Sequence, residues 1–123
     1  GLIIPKRRAA GLTPLVTKAS AGAIEHLAIA KVANIASAVE QLKKAGVWTF
    51  AAEAGGTSLY QTDFSGPCAI VMGSEGNGVS QLVRRTCDTT VAIPIYGKVN
   101  SFNVSTAAAV ILAEAARQHH KSL

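Results

Sequence analysis

The sequence predicts an α/β fold, a parallel sheet with helices packed on both faces. Short apolar runs alternate with amphipathic segments, and two of these runs lead straight into glycine-containing polar loops that precede helices. Strands that alternate with helices pair in parallel, because each helix serves as the crossover between two strands. A hydrophobic content of 49% against 15% charged residues excludes disorder, and 123 residues suffice for one domain with a buried core.

The first half of the chain is expected to hold three strands and two helices. The candidate strands are residues 1–5, interpreted as the end of a buried strand, 27–32 and 47–52; the candidate helices are 14–21 and 35–45. Thr13 and Asn34 are suitable N-caps because their side-chain oxygens can accept bonds from the first free N–H groups. Gly46 can end the second helix in a left-handed conformation.

The second half is expected to hold two strands, two helices and both loops. One strand begins at Pro67 and leads into the first loop, and another covers residues 90–93. Helices are predicted at 80–86 and 104–118. Residues 53–66 form a glycine-rich stretch in which Tyr60 and Phe64 are interpreted as packing residues.

Charge and cysteine content narrow the classes of function. The formal charge of +5 favours a polyanionic partner. Basic groups at 6–8, 84–85 and 117–121 are compatible with that partner and equally with ordinary solvated charge. Cys68 and Cys87 lie in or beside apolar stretches and lack zinc-ligand spacing, which predicts core thiols in a reduced, cytoplasmic protein without a metal. The apolar run 107–113 is too short to span a bilayer.

The first loop, residues 73–80, comes close to the phosphate-binding pattern GxxxxGK[ST] but departs from it where the chemistry matters. Val79 replaces the lysine, and Glu75 would repel a nucleoside triphosphate. The dinucleotide pattern also fails, because the third glycine and the acidic residue that binds the ribose are missing. A cationic ligand suits this loop better, and the sulfonium of S-adenosylmethionine is one.

The second loop, residues 93–103, can supply the other half of a pocket. Ile93 and Ile95 offer apolar surface, and Gly97 permits close backbone approach. Ser101 and Asn103 carry short polar side chains that can hold a substrate or cap the final helix. Both interpretations remain open from the residues alone.

These two loops resemble motifs of the SpoU branch of the SPOUT RNA methyltransferases, which methylate ribose 2′-hydroxyls with S-adenosylmethionine. The second family motif is similar to IVMGSEGNG at residues 70–78, and the third to IPIYGKVNSFNVSTA at 93–107. The segments 1–8 and 18–23 resemble the subgroup that acts on a guanosine of 23S rRNA. A tRNA ribose methyltransferase and a non-catalytic RNA-binding relative are the alternatives.

The resemblance implies a role for nine residues. Those expected at the cofactor are Gly73, Ile93 and Phe102, with Ala52, Gly97 and Val104 beside them. Those expected at the active site are Glu75, Ser101 and Asn103, which would orient the ribose or an arginine partner. Phe102 stands where the family usually has leucine, so the adenine pocket is expected to differ in shape.

The resemblance also implies an architecture. The expected domain, residues 1–123, is a SpoU-type catalytic domain with a C-terminal trefoil knot, acting as a homodimer without a metal. The family's first motif, an Asn followed by an Arg, is expected upstream of Gly1, so these residues alone are expected to be inactive. The final helix presents a small-residue apolar face suited to close packing, either in the core or between subunits: Val104, Ala107, Ala108, Ile111, Leu112 and Ala115.

Overall fold

The computed structural model describes residues 1–6, 28–73, 78–95 and 104–120. The strands are β1 (Leu2–Pro5), β2 (Ile29–Val32), β3 (Trp48–Ser58), β4 (Cys68–Val71) and β5 (Thr89–Ala92). The helices are α1 (Ile35–Lys44), α2 (Gln81–Thr86) and α3 (Val104–His120), and a 3₁₀ turn covers Leu59–Gln61. Every strand pairing given for the described residues is parallel, which confirms the predicted class. The loops that would form the predicted knot include 74–77 and 96–103, outside the described residues.

The chain divides into two compact units, residues 1–38 and 39–123. In the first unit β1 pairs with β2 in parallel, with Leu2 opposite Ile29 and Pro5 opposite Val32. Leu2 and Ile3 are exposed, so the expectation of a buried strand is wrong for its first half. Among the described strands β1 has the single neighbour β2, and a two-stranded ribbon buries less than a central strand does. The helix predicted at 14–21, with its Thr13 cap, lies outside the described residues.

Helix α1 begins and ends as its sequence predicts. The Asn34 side chain accepts a hydrogen bond from the backbone N–H of Ser37 at 3.1 Å, which satisfies one free donor of the first turn. Gly46 has φ +88°, a conformation that few other residues adopt. The Val47 N–H then donates to the Leu42 carbonyl at 2.9 Å, so the helix is closed before the chain enters β3.

The second unit is built on a three-stranded sheet in the order β4-β3-β5. Strand β3 runs six residues beyond its predicted end, because the glycine-rich stretch forms a bulge instead of leaving the sheet. Ala52 and Thr57 both pair with Val91 of β5, which leaves residues 53–56 as the excess. Gly55, at φ +84°, supplies the backbone conformation that this excursion requires.

One apolar core lies between this sheet and α3. Its buried members are Phe50, Leu59, Phe64, Val91, Ile111 and Ala115. The Phe50 and Phe64 rings are tilted at 60° with centroids 4.9 Å apart, a favourable aromatic geometry. Phe64 is therefore a packing residue, as predicted. The same prediction for Tyr60 is wrong: the 3₁₀ turn points Leu59 inward and leaves Tyr60 70% exposed.

Helix α3 packs on the core through most of its predicted face. Ile111 and Ala115 are buried, one turn apart, whereas Leu112 is 56% exposed. Leu112 is rotated about 100° from Ile111 around the helix axis, which carries it off the buried stripe. Gln118 secures the far end of the helix, since its Oε1 accepts from the Phe64 N–H at 2.7 Å and its Nε2 donates to the Thr62 carbonyl at 2.8 Å.

The amino ends of β3 and β5 are joined by side-chain hydrogen bonds. Thr49 is fully buried, and its N–H and hydroxyl both donate to Oδ2 of Asp88, at 2.8 and 3.0 Å. The Asp88 N–H returns a bond to Thr49 Oγ1 at 3.0 Å. Lys43, at the end of α1, lies 3.8 Å from Asp88 Oδ1 and donates to the Thr86 carbonyl at 2.9 Å. Every buried polar group in this cluster is thus satisfied.

Candidate functional site

Three predicted site residues meet at the carboxyl edge of the three-stranded sheet. Ala52 lies in β3 opposite Val91 of β5, and Ile93 follows the end of β5. Gly73 follows the end of β4, whose last residue, Val71, pairs with Ala51. By strand register the three positions lie within two residues of one level, and neighbouring strands are about 4.8 Å apart. Ligands of α/β proteins bind at such an edge.

The first loop closes on itself by direct backbone contact. A Cβ placed on Gly73 would overlap the Gly78 carbonyl group and the Val79 nitrogen. Gly78 itself has φ +66°, in the left-handed region that glycine tolerates. The sequence therefore requires glycine at both positions for different reasons: Gly73 for close approach and Gly78 for its backbone conformation. Gly73 and Gly78, the described residues on either side of segment 74–77, are therefore in close backbone contact at the sheet edge.

The bulge of β3 is held against both neighbouring elements. A Cβ on Gly56 would lie 2.9 Å from Thr90 Oγ1 and 3.1 Å from the Val91 nitrogen, so only glycine lets the bulge approach β5 this closely. On the other side, Glu53 accepts a hydrogen bond from Arg84 of α2 at 2.5 Å. This ion pair links the residue beside Ala52 to the helix that follows the first glycine loop. It also compensates the positive charge of Arg84, which belongs to the basic group at 84–85.

The inner wall of this edge is apolar. Ala52, Met72 and Ile93 are half-buried and pack against the core around Phe50 and Val91. They continue the core outward to the strand ends, where part of their surface is accessible. Val104, the first residue of α3, is half-buried as well. An apolar wall beside a backbone loop can hold the flat, largely apolar face of a purine.

Five of the predicted residues lie outside the described ones: Glu75, Gly97, Ser101, Phe102 and Asn103. Helix α3 begins at Val104, directly after Asn103. That position agrees with the expected helix start and leaves open whether Ser101 and Asn103 cap the helix or hold a substrate. The predicted roles of all five stay predictions.

The thiols behave as the sequence predicts. Cys68 and Cys87 are free, half-buried and buried respectively. Burial raises the pKa of both thiols, which keeps them protonated and poorly reactive. In the described part of the chain no group of three or more His, Cys, Asp or Glu side chains could hold a metal ion. None of the described helices has the length and apolar character needed to cross a membrane.

Two features of the second unit were not predicted. The Glu53–Arg84 pair joins residues 31 positions apart, and pairing at that separation leaves no periodic signal in a sequence. Trp48 lies in a predicted strand, and its 54% exposure depends on which neighbours cover the amino end of β3. In strand alternation Trp48 shares a face with the buried Phe50, so the local pattern does not predict this exposure.

Comparison with known proteins identifies close relatives. The model of the SpoU rRNA Methylase family matches residues 1–113. YacO of Bacillus subtilis, assigned to the TrmH family of tRNA/rRNA methyltransferases, is 43% identical over 121 residues, 98% of this chain and 49% of its own. An uncharacterized tRNA/rRNA methyltransferase of Synechocystis is 45% identical over 119 residues, 96% of this chain and 31% of its own. The chain thus spans half or less of the length of these relatives.

Solved structures share the fold. The SpoU methyltransferase AviRb of Streptomyces viridochromogenes, in complex with the cofactor AdoMet, superposes with a TM-score of 0.83 at 31% identity, covering 96% of this chain and 47% of its own. A protein studied for the 2-OH methylation of C/U34 on tRNA superposes with a TM-score of 0.80 at 28% identity, covering 95% of this chain and 76% of its own.

Proposed function

This chain belongs to the SpoU rRNA methylase family, and we propose that residues 1–123 form the catalytic domain of an S-adenosylmethionine-dependent RNA methyltransferase. The proposed methyl acceptor is a ribose 2′-hydroxyl, of a guanosine in 23S rRNA. The backbone contact between Gly73 and Gly78–Val79 at the carboxyl edge of the sheet carries this proposal. Such a contact makes a compact rim of main-chain groups, and these can bind a ligand without a charged side chain.

The residues at this edge fit the cofactor. Ala52, Met72 and Ile93 provide an apolar wall for an adenine ring, and the close approach of Gly73 and Gly78 contributes main-chain groups without side chains at these two positions. The cation nearest the bulge among the described residues, Arg84, is paired with Glu53 and so does not oppose a positively charged ligand. AviRb, which is 31% identical over most of this chain, is known in complex with AdoMet.

The side chains of this protein would mainly position the reactants and would contribute less through acid–base chemistry. When bound, S-adenosylmethionine supplies a methyl carbon made electrophilic by the adjacent sulfonium. We propose that Glu75, Ser101 and Asn103 orient the ribose and its partner groups, while Gly97, Phe102 and Val104 complete the cofactor wall. Holding two reactants in line accounts for a large part of a transfer rate. Removal of the hydroxyl proton adds to it.

A tRNA acceptor is the second candidate. It is favoured by the relative studied for the 2-OH methylation of C/U34 on tRNA, which resembles this chain over 95% of its length. Methyl transfer by the natural full-length protein, from tritiated cofactor to purified rRNA or tRNA, distinguishes the two acceptors. Alkaline hydrolysis then locates the methyl group, because a 2′-O-methyl blocks cleavage of the adjacent phosphodiester and a base methyl does not. Absence of transfer to either RNA would favour a non-catalytic relative.

We also propose that the protein is a homodimer acting in the cytoplasm. An apolar stripe of α3 faces away from the core and is exposed: Ala109, Leu112, Ala113 and Ala116. These residues repeat at helical spacing, and small side chains allow close helix contact. Sedimentation analysis over a dilution series measures the mass directly. A monomer at all concentrations would exclude this part of the proposal.

Cofactor binding is the decisive test, and glycine offers a matched pair of variants. Calorimetric titration of the 123-residue chain with S-adenosylmethionine is expected to show one site. Gly73→Ala should weaken that binding roughly 5- to 150-fold, because accommodating a Cβ in a packed site costs about 1–3 kcal/mol. Gly66→Ala is the control, since a Cβ there would meet nothing within 4 Å. Equal binding by the Gly73→Ala variant and the unmodified chain would show that the cofactor site lies elsewhere.

A further inference from the structure

The second unit carries a cavity that the proposed methyl-transfer site does not use. Its volume is about 430 Å³, within the range of small-ligand sites. It extends from Trp48, at the amino end of β3, to Thr57, beyond the bulge, and Thr89 and Thr90 of β5 also line it. The residues that matter for its chemistry are Trp48, Phe50, Thr62, Asp63, Thr89 and Thr90.

Trp48 gives this cavity an aromatic wall. The side chain is 54% exposed, although the strand positions beside it, Thr49 and Phe50, are buried. A tryptophan left half in solvent on a folded sheet presents an apolar, flat π-surface that gains free energy when another ring covers it. Every nucleobase has such a ring, and bases of single-stranded RNA stack on aromatic side chains.

The rest of the lining is polar and suited to the edge of a base. Thr62, Thr89 and Thr90 contribute hydroxyl groups, and Asp63 contributes a carboxylate. The Asp63 side chain is held in place by a local turn, in which Oδ1 accepts from the Ser65 N–H at 2.9 Å and from its hydroxyl at 2.6 Å. Hydroxyls donate and accept, and a carboxylate accepts from amino and imino groups.

The surroundings favour a polyanion. Gln118 of α3 bonds to the backbone of Thr62 and Phe64, which places the last turn of the helix beside the cavity. That turn carries Arg117, His119 and His120. Glu114 partly compensates Arg117, and the chain as a whole carries a formal charge of +5. Phosphate attraction supplies much of the affinity of proteins for nucleic acids.

We propose that this cavity binds one unpaired nucleobase of an RNA, stacked on the indole of Trp48 with its polar edge towards Asp63. The inference rests on the proposed function, because it takes RNA as the binding partner. It concerns other residues than those assigned to the cofactor: none of these lines the cavity among the described residues, and Trp48 pairs with Cys68 at the start of β4, whereas Gly73 lies beyond the end of that strand. Five residues of extended chain separate these levels by roughly 16 Å. The bound base would therefore be a neighbour of the methylated nucleotide.

Trp48 is the one tryptophan of the chain, so its fluorescence reports on this cavity alone. We would titrate the 123-residue chain with a single-stranded purine hexaribonucleotide and with a hexamer of the same backbone carrying abasic sites. Stacking should quench the fluorescence in a saturable way and protect Trp48 from acrylamide, with the base-containing RNA only. S-adenosylmethionine alone should leave the signal unchanged.

Variants test the same contact through the anisotropy of a labelled hexamer. Trp48→Leu keeps an apolar strand residue but removes the ring, and should weaken binding roughly 5- to 150-fold, the range of base–aromatic stacking. Asp63→Asn should weaken it less. Tyr60→Leu is the control, because Tyr60 is equally an exposed aromatic but does not line the cavity.

Three results would overturn the inference. The hexamer could bind without changing Trp48 fluorescence, which would leave the proposed function intact. The abasic RNA could quench as strongly as the intact one, which would assign the signal to phosphate binding. The fluorescence could shift on concentrating the chain without RNA, which would show that a second copy covers Trp48. Cofactor titration by calorimetry tests the proposed function independently of all three.

Discussion

The two ends of the three-stranded sheet are built by different means. At the amino ends of β3 and β5, side-chain hydrogen bonds hold the strands together: Asp88 accepts from the buried Thr49, and Lys43 lies beside Asp88. At the carboxyl ends close backbone packing holds the elements together, because Gly73 and Gly56 let main-chain atoms approach where a Cβ would collide. One end has its polar groups paired internally. The other presents a row of apolar residues and main-chain groups.

This difference separates the stability of the strand pairing from cofactor binding. The paired side chains at the amino end fix β3 and β5 to each other. A rim made by close backbone approach can accept a ligand without repelling its charge. The amino end of the sheet therefore holds these strands together, the carboxyl end is suited to the cofactor, and the two functions can be disturbed separately.

The largest expected effect is on the amino end. Asp88→Ala removes the acceptor of two buried donors, the N–H and hydroxyl of Thr49. Leaving buried donors unsatisfied should lower the free energy of unfolding by about 2–4 kcal/mol. Chemical denaturation with urea measures the change. Because the cofactor edge lies at the other end of the strands, the folded fraction should bind S-adenosylmethionine with unchanged affinity.

Two further variants keep this prediction testable if Asp88→Ala does not fold. Asp88→Asn retains one acceptor oxygen and should cost less than the alanine variant. Glu40→Ala removes an exposed acidic side chain of α1 and should leave stability within about 0.5 kcal/mol. If Asp88→Ala unfolds no more easily than Glu40→Ala, the side-chain network does not stabilise the amino end.

The sequence predicted the order of strands and helices around the carboxyl edge but not the side-chain bonds at the amino edge, for a physical reason. The strand-loop-helix pattern around Gly73 is local, so glycine, strand and helix follow one another in the chain. The bonds between Thr49 and Asp88 join residues 39 positions apart, and only the folded chain brings them together. The cap of α1 at Asn34 was predicted because its bond reaches only three residues along the chain.

The local sequence pattern also does not predict how far a side chain is exposed to solvent. Leu112 and Trp48 sit beside core residues at helical and strand spacing, yet both are more than half exposed. Whether such a position is covered depends on which distant element packs over it. The bulge of β3 was not predicted either. Gly55 and Gly56 indicate a departure from regular structure, but they do not indicate that the strand resumes pairing at Thr57.

A smaller effect is expected where a side-chain contact supports the carboxyl edge. Glu53→Gln removes the ion pair with Arg84. The side chains of Glu53 and Arg84 are both about one-third exposed. A pair of that kind is worth about 0–1 kcal/mol in stability. The bulge that carries Ala52 would lose its tie to α2, so we expect S-adenosylmethionine affinity to fall by about two- to fivefold, the equivalent of that energy.

Arg84→Gln breaks the same ion pair from the other side, and Arg85→Gln is its matched control, because Arg85 is exposed on the same helix and its replacement removes the same positive charge. Calorimetry in low and high salt sharpens the comparison, since added salt screens a partly exposed ion pair. The losses caused by Glu53→Gln and Arg84→Gln should shrink at high salt. A loss from Arg84→Gln equal to that from Arg85→Gln would mean that net charge, and not the ion pair, sets the affinity.

The smallest expected effect is a pH dependence at Glu114, on the helix that covers the core. The hydrogen bond from Arg117 lowers the pKa of Glu114 below its ordinary value near 4.5, with a further bond from Gln118 and against the opposing effect of burial. A carboxyl whose pKa is lower in the folded chain contributes stability above its unfolded pKa, and that contribution is lost as the pH falls through the folded pKa. Melting temperatures of the unmodified chain should therefore drop more steeply below pH 4.5 than those of Glu114→Gln. Parallel curves would show that the contact between Arg117 and Glu114 is not maintained in solution. The attachment of α3 to the core would then depend on its apolar face and on Gln118 alone.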